Sequence, residues 1–199
     1  MAIPESDAQD RADMQRLAAG EDAALDALMQ RHGRAVHRLL LGLLQDPQDA
    51  LDLTQETFVR VYQARHRFRS RDRFVPWLFT IATNLARNRI RWRRRHPTVP
   101  WEPDPTGPED PGAGTGRSPD CVEPVHSPSD IVLSRERAEA VRQAVAKLPP
   151  ELREAVVLCE WEELSQAEAA AILGTTAKAV ESRLYRARQI LRAELQAWL

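Results

Sequence analysis

No stretch of this chain alternates apolar and polar residues as a half-buried strand requires, and only 8 glycines occur in 199 residues, so an all-α protein is expected. No segment approaches the roughly eighteen uninterrupted apolar residues of a membrane span. The start of the chain, Met1 to Asp13, is polar and acidic, unlike a secretory signal peptide, and a cytoplasmic protein with no membrane span is the expectation. The two cysteines, Cys121 and Cys159, make neither a disulfide framework nor a metal-binding spacing. Cys159 falls on the apolar side of its helix with Leu152, Ala155 and Val156, as a buried thiol does. His96, Cys121 and His126 are expected to be solvated, and no metal or cofactor is expected.

Basic excess is also missing, since the formal net charge is -1, but the charges are segregated. Residues 1–59 hold 5 basic and 11 acidic groups, whereas residues 60–95 hold 12 arginines against Asp72 alone. Residues 96–130 carry 1 basic and 7 acidic groups, and the remainder balances at 10 of each. The local field, not the net charge, decides whether a polyanion binds, so near-neutrality does not exclude nucleic acid.

Nine of the 14 prolines and four of the 8 glycines lie between His96 and Asp130, with almost no aliphatic residues. Such a segment buries too little apolar surface to offset its conformational entropy and reads as an extended linker. It divides the chain into two small helical domains, residues 1–95 and 131–199, joined by the Pro/Gly-rich linker 96–130, whose length permits them to sit far apart. In the first domain Leu25, Leu28, His32, Val36, Leu39, Leu40 and Leu43 form one amphipathic stripe, which Asp46-Pro47 ends while capping the next helix. That helix buries Ala50, Leu53, Thr57, Phe58 and Val61. A third runs from about Phe74 to Arg95 with Val75, Leu78, Ala82, Leu85 and Ala86 inward.

The second domain is written as a helix-turn-helix. Ser165 with Glu168 three residues on is a capping box, so a helix begins at Gln166. Gly174 ends it, because a residue without Cβ accepts the left-handed conformation, and Thr175 or Thr176 caps the helix that follows. There Val180, Leu184, Ala187 and Leu191 face the core, with Ala170 small enough to let the helices approach. Lys178, Glu181, Ser182, Tyr185 and Gln189 take the opposite face. An ordinary helix pair with solvated charges is the plain alternative.

The third helix suggests a second nucleic-acid surface. Trp77, Asn84, Asn88, Arg91 and Arg95 share a face, with Arg87 and Arg94 beside it, after a loop reading Arg67-Phe68-Arg69-Ser70-Arg71-Asp72-Arg73. Phosphates need cations and unstacked bases need flat apolar faces, so a basic surface interleaved with aromatics suits a single strand. Phe79 is better read as core.

Two blocks resemble a known family. Asp46-Pro47-Gln48-Asp49-Ala50-Leu51-Asp52-Leu53-Thr54-Gln55-Glu56-Thr57-Phe58, then Arg67-Phe68 and Trp77-Leu78-Phe79-Thr80-Ile81-Ala82-Thr83-Asn84, resemble conserved region two of sigma-70 family initiation factors. Leu148-Pro149-Pro150-Glu151-Leu152-Arg153-Glu154, Leu164 to Glu168, and Val180 to Arg188 resemble region four. With only a linker between them, the chain is similar to the extracytoplasmic-function subgroup. The resemblance implies a region-two-like helical bundle, a region-four-like helix-turn-helix, and a non-enzymatic subunit that directs core RNA polymerase to promoters.

It also implies roles for residues. Asp49, Asp52, Leu53, Gln55 and Glu56 would bind core RNA polymerase. Arg69, Ser70, Arg71, Arg73, Trp77, Asn84, Arg87, Asn88 and Arg91 would engage single-stranded minus-10 promoter DNA, with Asn84 and the loop from Arg69 to Arg73 capturing a flipped base. Thr176, Lys178, Glu181, Ser182, Arg183, Tyr185, Arg186 and Arg188 would engage duplex minus-35 DNA. An anti-sigma factor is a further implied partner. Leu51, Pro76 and Glu181 depart from the family's usual acidic residue, threonine and basic residue. A stand-alone helix-turn-helix regulator would explain Ser165 to Arg188 but leave the acidic and arginine-rich helices without a task. A nuclease built on Asp46, Asp49, Asp52 and Glu56 lacks a second carboxylate cluster facing the first.

Overall fold

Local signals set the helix boundaries. The computed structural model describes residues 5–69, 71–96 and 128–196, with side chains described from 7 and, after the gap, from 136. Among these residues there are eight α-helices and no strand. They are α1 (Glu5–Ala18), α2 (Ala23–Leu44), α3 (Pro47–Gln63), α4 (Phe74–Arg95), α5 (Pro128–Ala146), α6 (Pro150–Val156), α7 (Gln166–Leu173) and α8 (Ala177–Glu194). A 3-10 turn (Arg65–Arg67) follows α3 and a π-helical turn (Val157–Trp161) follows α6. The expected linker falls mostly outside the described residues, as do Ser70, Cys121 and His126.

The apolar stripe of α2 is buried from Leu28 to Leu44. Gln45 takes a left-handed φ of 56° and stops the helix. Asp46 then accepts a hydrogen bond from the Asp49 N–H at 3.0 Å and Pro47 occupies the first turn of α3, so one dipeptide both ends and starts a helix. Ala50, Leu53, Thr57, Phe58 and Val61 are buried as their spacing demands, and so are Phe74, Leu78, Phe79, Ala82 and Ala86 of α4.

The acidic N-terminus is a packed helix, which its polarity concealed. Met14 and Leu17 enter the core, and Asp7, Asp10 and Asp13 share that inward side at helical spacing. Each aspartate has a cationic neighbour: Arg73 on Asp7, Arg31 on Asp10 and Asp13, and Arg16 on Asp13. His32 of α2 also meets Asp10 at 2.9 Å.

The C-terminal helices do not stand apart from the N-terminal ones. One apolar core runs through both sets, and α7 packs on α4. A Cβ on Gly42 of α2 would lie 2.6 Å from the Trp161 ring, so only glycine admits the indole there. Arg38 binds both oxygens of Glu162 at 2.7 and 2.8 Å, and Arg153 reaches back to the Leu43 carbonyl at 3.0 Å. Cys159 is half-buried rather than enclosed, and desolvation is the main cause that pushes its thiol up from the ordinary range.

Candidate nucleic-acid interface

An aromatic cluster fixes the entry to α4. Phe74 is fully buried, with the His32 ring 5.2 Å away and Phe68 and Trp77 each at 6.0 Å. Phe68 meets Trp77 edge-on at 5.2 Å, a geometry aromatic quadrupoles favour. Trp77 is thereby half-buried and shared between core and surface, while the turn before α4 closes through an Asp72 N–H to Arg69 carbonyl bond of 2.8 Å. Arg69 and Arg71 extend from that turn into solvent.

Asn84 and Asn88 are exposed one turn apart on α4 and line a cleft of about 530 Å3 against the end of α3. Arg60, Gln63 and Arg67 form its other side. The sequence pattern singled out the two asparagines and placed Arg67 in the basic loop, but not Arg60 and Gln63, whose spacing along one face at the end of α3 was the available signal. Amide and guanidinium groups of this kind offer donors and acceptors to a nucleobase edge beside cations for phosphate. Arg91 is exposed beside them, its Nη1 3.4 Å from the Asn88 amide oxygen.

Two other expected DNA contacts are engaged within the chain. Arg87 donates through Nε and Nη2 to both oxygens of buried Glu154, at 2.7 and 2.8 Å, and this pairing raises the arginine above its ordinary range. Arg73 donates to Asp7 at 2.9 Å and also pairs with Glu168 of α7.

The acidic helix divides in two. Asp52 and Gln55 are exposed, with Gln48 Nε2 donating to Asp52 at 3.1 Å, and Glu56 is held by Arg60 at 2.7 Å. Asp49 is not on that face: it is buried and paired with Arg89 and Arg93 of α4, each at 2.7 Å. Leu53 is buried too. Leu51 and Val59 are instead exposed at about half of their surface, 49% and 47%, flanking Gln55 on one stripe of α3.

The helix-turn-helix forms as spelled. The Ser165 hydroxyl accepts from the Glu168 N–H at 3.3 Å and the Glu168 carboxylate accepts from the Ser165 N–H at 3.0 Å. Gly174 has a φ of 66°, and Thr176 caps α8 by accepting from the Ala179 N–H at 3.2 Å. Val180, Leu184 and Ala187 are buried, leaving Lys178, Glu181, Ser182, Tyr185 and Arg186 outward. Tyr185 is 65% exposed, an aromatic left uncovered among the described residues. Arg183 is half-buried 3.7 Å from Glu151, and Arg188 pairs with Glu160 at 2.6 Å.

Residues 28–96 match the family Sigma-70 region 2, and residues 138–191 match Sigma-70, region 4. The RNA polymerase sigma-H factor of Pseudomonas aeruginosa is 32% identical over 191 residues, covering 96% of each chain. The ECF RNA polymerase sigma-E factor of Escherichia coli K12 is 30% identical over 92% of each. The chain belongs to the sigma-70 family of RNA polymerase sigma factors, in its extracytoplasmic-function group. A solved complex of CnrH with the cytosolic domain of CnrY superimposes on this sigma factor with a TM-score of 0.68 and 30% identity, over 95% of this chain and 98% of that one. The two matched stretches leave out α1, although in this sigma factor α1 touches the loop that leads into α4. Among the described residues of the sigma factor, no helix is long and apolar enough to cross a membrane, and no cluster of three potential metal ligands occurs.

Proposed function

We propose that this sigma factor reads two promoter elements with two separate surfaces while docked on core polymerase through a third. The observation that carries the reading is the cleft between α3 and α4. There Asn84, Asn88 and Gln63 present amides at the edge of an arginine-rich helix, which suits capture of an unstacked minus-10 base. Arg69, Arg71, Arg91 and the half-exposed face of Trp77 supply cations and a stacking surface around it. Ser70 belongs to the same loop by sequence.

The outward face of α8 takes the duplex minus-35 element. Lys178, Glu181, Ser182, Tyr185 and Arg186 address base edges from the major groove, and Thr176, Arg183 and Arg188 lie toward phosphates. Polymerase docks on the exposed face of α3 through Asp52, Gln55 and Glu56. The aliphatic surface of Leu51 and Val59 adds an apolar contact that the family's usual acidic residue at position 51 does not. Asp49 and Leu53 support that face from beneath. On this reading residues 1–95 and 131–199 are the two reading domains and 96–130 is their tether. The protein works in the cytoplasm, performs no covalent chemistry, and needs no cofactor.

DNA engagement by Arg73 and Arg87 requires release of Glu168 and Glu154, so polymerase and promoter together part the two domains. An anti-sigma factor opposes that step by covering the released surfaces; that the similar chain CnrH forms a complex with the cytosolic domain of CnrY supports a protein partner for this fold. The test is a genome-wide footprint of core polymerase with and without this chain. Protected promoters that share two spaced elements only when the chain is present are expected; an unchanged footprint, or specific binding by the chain alone, overturns the reading.

A further inference from the structure

We infer that α1 positions the loop 69–73 for base capture, with Asp7 and Arg11 as the positioning residues; this rests on the minus-10 reading given above. The loop has its own difficulty: Arg67, Arg69, Arg71 and Arg73 repel one another within seven residues, and only Asp72 among those seven is acidic. Beyond the Asp72 N–H to Arg69 carbonyl bond that closes the turn, its conformation depends on ties from outside.

Helix α1 supplies three. The Arg11 Nε–H donates to the Asp72 backbone carbonyl at 3.3 Å, holding the main chain whatever side chains the loop carries. Asp7 is 3% exposed, and its Oδ2 accepts from Arg73 Nε at 2.9 Å, which orients that guanidinium from the side away from solvent. One turn on, Asp10 is completely buried and meets His32 Nε2 at 2.9 Å, and the His32 ring lies against Phe74 where the loop enters α4. Arg31 bridges Asp10 and Asp13, locking α1 onto α2. A pocket for a flipped base gives its full selectivity only if its donors are set beforehand, since ordering them on arrival subtracts from binding. Asp7 thus acts as a fixed counter-charge under a loop whose outward arginines meet DNA, and Asp10 and Asp13 fix the helix that carries it.

The test uses the full chain bearing Asp7→Ala and Arg11→Ala together, with Arg11→Lys as the conservative variant. Amide exchange is followed across residues 69–73 and across α4. Strand opening by polymerase is compared on a duplex carrying a promoter from the footprint and on the same duplex with mismatched bases across the minus-10 element. The double variant is expected to exchange about tenfold faster across 69–73 while α4 is unchanged. It should open the duplex about tenfold less well yet lose under about threefold on the mismatched template, with polymerase retention intact. Arg11→Lys should restore most of the opening, because an ammonium still reaches the Asp72 carbonyl. Unchanged exchange across 69–73, equal losses on both templates, or lost polymerase retention overturns the inference. If the wild-type chain fails to open the duplex at all, the base-capture reading falls, and the exchange result alone decides whether α1 holds the loop.

Discussion

Arg87 of α4 grips Glu154 of α6 with two parallel hydrogen bonds, joining the helix expected to meet the minus-10 strand to the domain expected to meet minus-35. The carboxylate is buried and the guanidinium about one-third exposed, so the pair is stronger than a surface ion pair. Glu154→Ala is expected to destabilise the free chain by about 1 to 3 kcal/mol. It should also increase the radius of gyration measured by small-angle scattering. Transcription with core polymerase should survive, since Arg87 is then free for DNA. An unchanged radius would show that this contact does not hold the domains together.

Asp49 and Asp52 stand three residues apart and predict opposite phenotypes. Asp49 is buried under Arg89 and Arg93, so Asp49→Ala should lower the melting temperature, at about 2 to 4 kcal/mol, by taking from Arg89 its carboxylate partner and leaving Arg93 with Asp46 only. Replacing Asp52 and Glu56 with lysine should leave melting nearly unchanged while abolishing retention on immobilised core polymerase. Retention equal to wild type would remove this face of α3 from the docking surface.

The helix-turn-helix rests on two local devices that can be broken separately. Ser165→Ala removes one half of the capping box and is expected to cost about 1 kcal/mol. Gly174→Ala meets no neighbour within 4 Å but must hold a φ of 66°, so its cost is backbone strain, about 1 kcal/mol. Chemical denaturation of each variant checks both values. A Gly174→Ala chain as stable as wild type would contradict the strained-turn account.

Acid should loosen both caps. Asp46 is held below the ordinary carboxylate range first by the Asp49 N–H and then by Arg93, and Glu168 first by its hydrogen bond with the Ser165 hydroxyl. Each folded value lies below the unfolded one, so between the two the unfolded chain binds more protons. The stabilisation is complete above the unfolded value and is lost as pH falls through the folded one. Melting temperature should be flat near neutrality and drop below about pH 4. Asp46→Asn combined with Glu168→Gln should flatten that drop; an equally steep drop in the double variant would assign it to other groups.

Much of this fold was legible because its determinants are local. Asp46-Pro47, the Ser165 and Glu168 box, and Gly174 each act within four residues, and the extent of α4 follows from its run of inward apolar residues. Helix α1 was hidden because its inward face carries aspartates beside Met14 and Leu17, and their partners lie as far away as Arg73. Asp49 is counted with the polymerase-binding residues by the family resemblance. Arg89 and Arg93, one turn apart on another helix, draw it in, and no pattern within α3 reveals that. The pairs Arg87 with Glu154 and Arg73 with Glu168 span 67 and 95 residues, beyond the reach of any periodicity. In the cleft, Asn84 and Asn88 stand out as polar residues on a basic helix and Arg67 as part of a basic loop, whereas Arg60 and Gln63 lie on a different helix that only the fold brings alongside.

Permanganate footprinting of promoter DNA with core polymerase and this chain, wild type against Asn84→Ala, tests the division of labour most directly. The account predicts reactive minus-10 thymines with the wild-type chain, their loss with Asn84→Ala, and nuclease protection of the minus-35 element in both. Loss of both signals together, or reactive thymines with Asn84→Ala as with wild type, would contradict it.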